Sequence, residues 1–147
     1  MKTIEEAGNY LQEMTDELVT IREMDNLEMY RMLTDIGKKM EELPAEEKRD
    51  ENYVYGCVSQ VYIADEVDED GAIYYRGSSE SHIVRGYLAI LIEALSGLPP
   101  EKVAENSREM VESFARETDL KATLTPNRAN AFGNIYQLMV DKAKARS

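Results

Sequence analysis

The sequence predicts an α+β domain in which a small antiparallel β-sheet packs against helices. Three observations lead there. Apolar residues recur at helical spacing near the N-terminus and again towards the C-terminus. Between these regions lie two stretches rich in β-branched and aromatic residues, separated by an acidic, turn-prone segment. The order of helices, hairpin and helices segregates the two kinds of structure instead of alternating them. A chain of 147 residues with 43% hydrophobic content suits one core, so residues 1–147 are read as a single domain.

Leu11, Met14, Leu18 and Ile21 lie on one helical face, and Met29, Leu33, Ile36 and Met40 repeat the pattern after a cap or break at Asp25-Asn26. This predicts either two helices or one kinked helix, its methionines serving as adaptable core filling. Gly37 and Pro44 close the helical region, and the polar run Ala45 to Asn52 reads as a solvated loop. Val58 to Ala64 and Ala72 to Arg76 read as the strands of a hairpin whose turn is the acidic segment Asp65 to Gly71. Ser79 or Ser81 can cap the next helix, whose body from Ile83 to Leu95 is apolar nearly all round, as a buried helix requires. Gly97 and Pro99-Pro100 stop it. A short helix then starts at Pro100, another covers Arg108 to Glu117, and Thr125-Pro126 supplies the N-cap and first residue of a terminal helix. Phe132, Ile135, Tyr136, Met139 and Ala143 give that helix its buried stripe. No internal repeat or low-complexity tract interrupts the pattern.

Seventeen basic and 29 acidic side chains leave a formal charge of −12, which repels phosphate backbones and anionic lipid and so argues against nucleic acid and membrane as partners. The segment Met1 to Asn9 carries Glu5 and Glu6 and no apolar signal region, and the longest apolar run, Tyr87 to Ile92, is too short to span a bilayer. A cytoplasmic location is the expectation. The single cysteine cannot form an internal disulfide and is expected to be free in a reducing compartment.

That cysteine, Cys57, sits where the polar loop turns into the first strand, after Gly56, whose missing Cβ permits a sharp bend and close approach to the thiol. It reads either as a buried inert residue or as a reactive thiol. His82 is the only histidine, so a Cys-His pair would have to be Cys57 with His82; the competing reading is a surface residue in a first helical turn. Glu66 to Gly71 superficially resembles a calcium loop, but Gly77 stands where the bidentate glutamate belongs and no helix enters it. One thiol and one imidazole do not make a tight zinc or iron-sulfur site, so no metal is expected.

Together, Gly56-Cys57-Val58-Ser59-Gln60-Val61-Tyr62 resembles the Gly-Cys-Gln-Ser-Gln-Val-Trp signature of the SufE family of sulfur acceptors. Ile36-Gly37-Lys38 and Leu43-Pro44 are similar to that family's Leu-Gly-Lys and Leu-Pro elements. Ser79-Glu80-Ser81-His82-Ile83-Val84-Arg85-Gly86 resembles its Ser-Asp-x-x-Ile-Val-Lys-Gly, and Leu124-Thr125-Pro126-Asn127-Arg128 its Leu-Ser/Thr-Pro-Ser/Asn-Arg. The blocks run in one order from about Met24 to the C-terminus, leaving residues 1–20 as an N-terminal helical extension. Val58 replaces the family's glutamine, Tyr62 its tryptophan, Thr123 its common histidine, and Thr118-Asp119-Leu120 its Leu-Gly-Leu.

The resemblance implies the fold shared by SufE and the IscU-type scaffolds. It also implies a function: Cys57 takes persulfide sulfur from a SufS-type cysteine desulfurase, stimulates that enzyme, and passes the sulfur on for iron-sulfur cluster assembly by a SufBCD-like complex. Pyridoxal phosphate then belongs to the desulfurase, and this chain, monomer or homodimer, needs no cofactor. Gly56, Ser59, Gln60, Glu80, Arg85 and Arg128 are the implied partner-binding residues. Arg128 reads equally as a first-turn surface residue, and Tyr53, Tyr55 and Tyr62 either shelter the sulfur or serve as core. Two competing functions remain: a non-catalytic acidic protein-interaction module, and an IscU-like cluster scaffold, against which the cysteine count argues.

Overall fold

A computed structural model describes residues 1–56, 60–119 and 126–147, with the side chains of the last stretch described from residue 132. Helix α1 spans Ile4–Met24, opened by a reciprocal capping box between Thr3 and Glu6. Asp25 takes an extended conformation and acts twice. Its backbone N–H closes α1 on the Ile21 carbonyl, and its side chain caps α2 (Asn26–Lys38) by accepting from the Leu27 N–H. Two helices therefore form, with Asp25 as the break. The expected extension at residues 1–20 lies mostly within α1, and Ala7, Leu11 and Leu18 enter the common core. Lys2 fastens its start by donating from Nζ to the Glu93 carbonyl at 2.6 Å and from its backbone to the Gly97 carbonyl at 3.0 Å.

Strands β1 (Val61–Val67) and β2 (Ile73–Ser79) pair antiparallel from Val61 opposite Ser79 to Val67 opposite Ile73. The expected strand and turn limits need correction. Asp65 and Glu66 belong to β1, and β2 runs on to Ser79. The acidic segment can extend the strand because Asp65 meets two cations from the terminal helix, Lys142 at 3.5 Å and Arg146 at 2.9 Å. The turn is confined to Asp68–Ala72, where the Asp68 carboxylate accepts from the Asp70 and Ala72 N–H groups. Tyr53 and Leu98 add single bridges to Tyr62 and Ile73.

Helix α3 (His82–Leu95) is capped by Ser81 and buried along most of its length. It crosses α2 closely: a Cβ on Gly86 would lie 2.3 Å from the Leu33 carbonyl oxygen, and one on Gly37 would lie 2.8 Å from the Arg85 Cβ. Helix α4 (Pro100–Asn106) starts with proline at its first position, followed by α5 (Arg108–Glu117) and α6 (Pro126–Arg146). The predicted α6 stripe is buried, and Phe132 meets Tyr87 edge-on at 5.9 Å and stacks on Phe114 at 6.2 Å. Tyr75 joins the sheet to α6 by donating to the Met139 carbonyl at 2.7 Å.

The polar run 45–52 contains two single-turn 3-10 helices, Ala45–Glu47 and Asp50–Asn52. It ends in a buried residue, a departure from the expected solvated loop. Asn52 donates to the Glu47 carbonyl at 2.7 Å and accepts from Lys142 Nζ at 2.7 Å. A buried carboxamide requires such partners, and here they moor the loop to α6 just before it reaches Tyr53.

Candidate functional site

The loop that carries Cys57 is closed at its base by backbone pairing. The Val54 N–H donates to the Val61 carbonyl at 2.9 Å, and Tyr53 bridges Tyr62. Val54 is buried and anchors this stem. Cys57 and Ser59 lie outside the described residues, whereas both flanks of the loop are defined. On one side Tyr55 is 67% exposed and packs edge-on against Tyr53 at 4.9 Å, and Tyr53 meets Tyr62 at 5.3 Å. This row places an accessible aromatic two residues before the cysteine. Gly56 follows with φ +86°, a conformation that a side chain would strain.

On the other side of the loop, Gln60 is exposed and leads into Val61, which pairs with Ser79, so Gln60 and Glu80 emerge at the same end of the hairpin. With Glu42, Lys48, Tyr62, Ser78 and Ser79 they line a cleft of about 190 Å³. Glu42 organises its wall. It accepts from Ser78 Oγ at 2.6 Å and pairs with Lys48 at 3.1 Å and Arg85 at 3.2 Å. The Ser78 hydrogen bond, followed by the hydrogen bond and charge of Lys48, holds its carboxyl down at about 2.

Arg85, expected at a partner surface, is only 8% exposed. Its Nε donates to the Gly37 carbonyl at 3.1 Å and its Nη2 to the Met40 carbonyl at 2.8 Å, while Nη1 reaches Glu42. A cation thus bonds carbonyls at and just beyond the C-terminal end of α2 and fixes the 40–42 segment against the sheet. His82 is the exposed first residue of α3. The side chain of Arg128 lies outside the described residues; its backbone is in the first turn of α6. Six residues further along α6, about 9 Å by helical rise, Asn134 lies against the cysteine loop: a Cβ on Gly56 would come within 2.7 Å of its Nδ2.

The structure thus brings Gln60 and Glu80 together, and it brings α6 to Gly56. Sequence reasoning missed Glu42, Lys48 and Asn134. Only the Leu43-Pro44 resemblance pointed near Glu42, and the exposed place of Asn134 beside Ile135 in the helical stripe gave no local signal. Among the described residues, no group of three or more His, Cys, Asp or Glu side chains is arranged to hold a metal ion, and no helix is long and apolar enough to cross a membrane.

The family model described as SufE, an Fe-S metabolism associated domain, matches residues 11–143. The chain belongs to the SufE family. An uncharacterised SufE-like protein of Synechocystis sp. is 42% identical over 124 residues, which cover 84% of this chain and 75% of that protein. The sulfur acceptor protein CsdE of Escherichia coli is 30% identical over 115 residues, covering 78% of this chain and 76% of CsdE. SufE-like protein 1 of Arabidopsis thaliana, described as chloroplastic/mitochondrial, is 32% identical over 143 residues; these cover 97% of this chain and 37% of the plant protein. The SufE family match runs from within α1 to within α6, so the hairpin and the cysteine loop lie inside the matched region.

Proposed function

We propose that this chain is a sulfur acceptor and carrier that takes persulfide sulfur from a SufS-type cysteine desulfurase onto Cys57, stimulates that enzyme, and delivers sulfur for iron-sulfur cluster assembly to a SufBCD-like complex. Membership of the SufE family carries this reading. The name of the E. coli relative, sulfur acceptor protein, adds to it. Cys57 is the chain's only cysteine, so sulfur held as a protein persulfide must be held there.

The chemistry is thiol exchange. The Cys57 thiolate attacks the outer sulfur of the desulfurase persulfide, the new S–S bond forms on Cys57, and the desulfurase cysteine departs as thiolate. The transferred sulfur keeps its proton, and no oxidant or reductant is consumed. The earlier carbon–sulfur cleavage, and the pyridoxal phosphate it would use, belong in this reading to the desulfurase and not to this chain. A loop pinned at its stem and bearing an exposed tyrosine suits presentation of a thiol to a protein partner, and Gln60, Glu80 and Arg128 are the contacts proposed around it. Arg85 contributes by holding Met40 to Glu42 in place. A cytoplasmic location, where thiols stay reduced, fits the free cysteine.

Desulfurase turnover, measured as alanine released from cysteine, tests the proposal. The wild-type chain should raise it and Cys57→Ser should not, because a hydroxyl cannot take up sulfur as a persulfide. Equal stimulation by both would instead identify an acidic interaction module in which the thiol is incidental.

A further inference from the structure

We infer that Asn134 is a positioning residue of the sulfur-transfer site: its carboxamide is seated on Gly56 and fixes the loop bearing Cys57 to α6. The role in transfer rests on the proposed function of Cys57, whereas the contact itself does not.

Two features favour glycine at position 56. Its φ of +86° lies in the left-handed region, and the space where a Cβ would project is taken by Asn134 Nδ2, 2.7 Å away, with Cγ at 3.6 Å. The loop thus rests directly on the Asn134 side chain. Core packing does not account for that placement, since Phe132, Ile135, Tyr136 and Met139 carry the buried side of α6 while Asn134 is exposed. About two turns along the same helix, Lys142 holds Asn52, the residue before the loop stem. Helix α6 therefore fastens the segment at two places, Asn52 and Gly56, and the second adjoins Cys57 in the chain.

Such a mooring pre-organises the nucleophile. Transfer requires the thiolate in line with a persulfide on another protein, and small misplacements of a reacting group slow a reaction sharply. The carboxamide is also neutral, so it leaves the forming thiolate unopposed, whereas a carboxylate of the same shape would oppose it. These two properties can be tested apart.

Asn134→Ala removes the seat, and Asn134→Asp keeps the shape and adds charge. Because Cys57 is the only cysteine, alkylation by iodoacetamide in the absence of any desulfurase reads its thiolate alone. Asn134→Asp should move the midpoint of the alkylation pH profile upward by a few tenths of a pH unit at low ionic strength, because an added negative charge opposes formation of the thiolate. Asn134→Ala should leave the thermal midpoint close to wild type, because an exposed side chain is lost, and should slow sulfur transfer from a persulfide-loaded desulfurase about tenfold. A wild-type alkylation midpoint in Asn134→Asp, or wild-type transfer by Asn134→Ala, overturns the inference. If the wild-type chain itself accepts no sulfur, the proposed function fails, and the alkylation profiles still decide whether position 134 acts on the Cys57 thiolate.

Discussion

Replacing Gly86 by alanine tests the packing that supports the site. The added Cβ would meet Leu33 of α2 at 2.3 Å from its carbonyl oxygen, 2.8 Å from its carbonyl carbon and 3.1 Å from its Cα, where ordinary contact begins at 3.4 Å. All three atoms are backbone, so no rotamer change relieves the clash and the two helices must separate by roughly 1 Å, the difference between ordinary contact and the shortest approach. Overpacking of this kind costs about 1–3 kcal/mol, and rigid neighbours place it at the upper end. Alanine returns about 1 kcal/mol through helix propensity. The net loss of about 2 kcal/mol should lower the thermal midpoint by about 4–8 °C in a domain of this size. Gly133→Ala is the control, since among the described residues nothing lies within 4 Å of its Cβ position on α6; there the propensity gain should stand alone and stabilise by up to about 1 kcal/mol. Thermal and urea unfolding of the two variants should therefore shift in opposite directions. A Gly86→Ala protein at least as stable as wild type would refute the account of the α2–α3 crossing.

Two further outcomes bear on the surroundings of the loop. The folded carboxyl of Glu42, held at about 2 by Ser78, Lys48 and Arg85, lies below its ordinary unfolded value, so its ionised form contributes stability above about pH 4.3 that is lost as pH falls towards 2. Urea unfolding of Glu42→Gln should accordingly show its full deficit at pH 7 and converge on wild type near pH 2; a deficit independent of pH would mean that the charge does not matter. Arg128→Glu should weaken stimulation of the desulfurase most at low ionic strength, as a docking charge does, while alkylation of Cys57 keeps its wild-type rate. Equal slowing of both would make Arg128 a tuner of the thiolate instead.

What the sequence revealed and what it concealed divides by range of interaction. The cap at Ser81, Pro100 at a helix start and the stripe from Phe132 to Ala143 are local patterns, and the structure shows each of them. Asp65 read as a turn residue because its partners, Lys142 and Arg146, come from the far end of the chain. Arg85 read as a surface contact because nothing near it announces the Gly37 and Met40 carbonyls to which it donates. Asn52 looked solvated for the same reason, its partner Lys142 being remote. At the site, Gly56 was legible as a bend, but the carboxamide pressed against it comes from another element. The motif around Cys57 spoke to chemistry, and only the fold shows which elements hold its flanks.

The central claim is that Cys57 carries sulfur. Intact-protein mass measurement after incubation with a SufS-type desulfurase and cysteine tests it most directly. The wild-type chain should gain about 32 Da, the mass of one sulfur, removable by thiol reductant, and Cys57→Ser should gain nothing. A wild-type chain that remains unmodified while the desulfurase is demonstrably loaded with persulfide, or a Cys57→Ser chain that gains the same mass, would contradict the account.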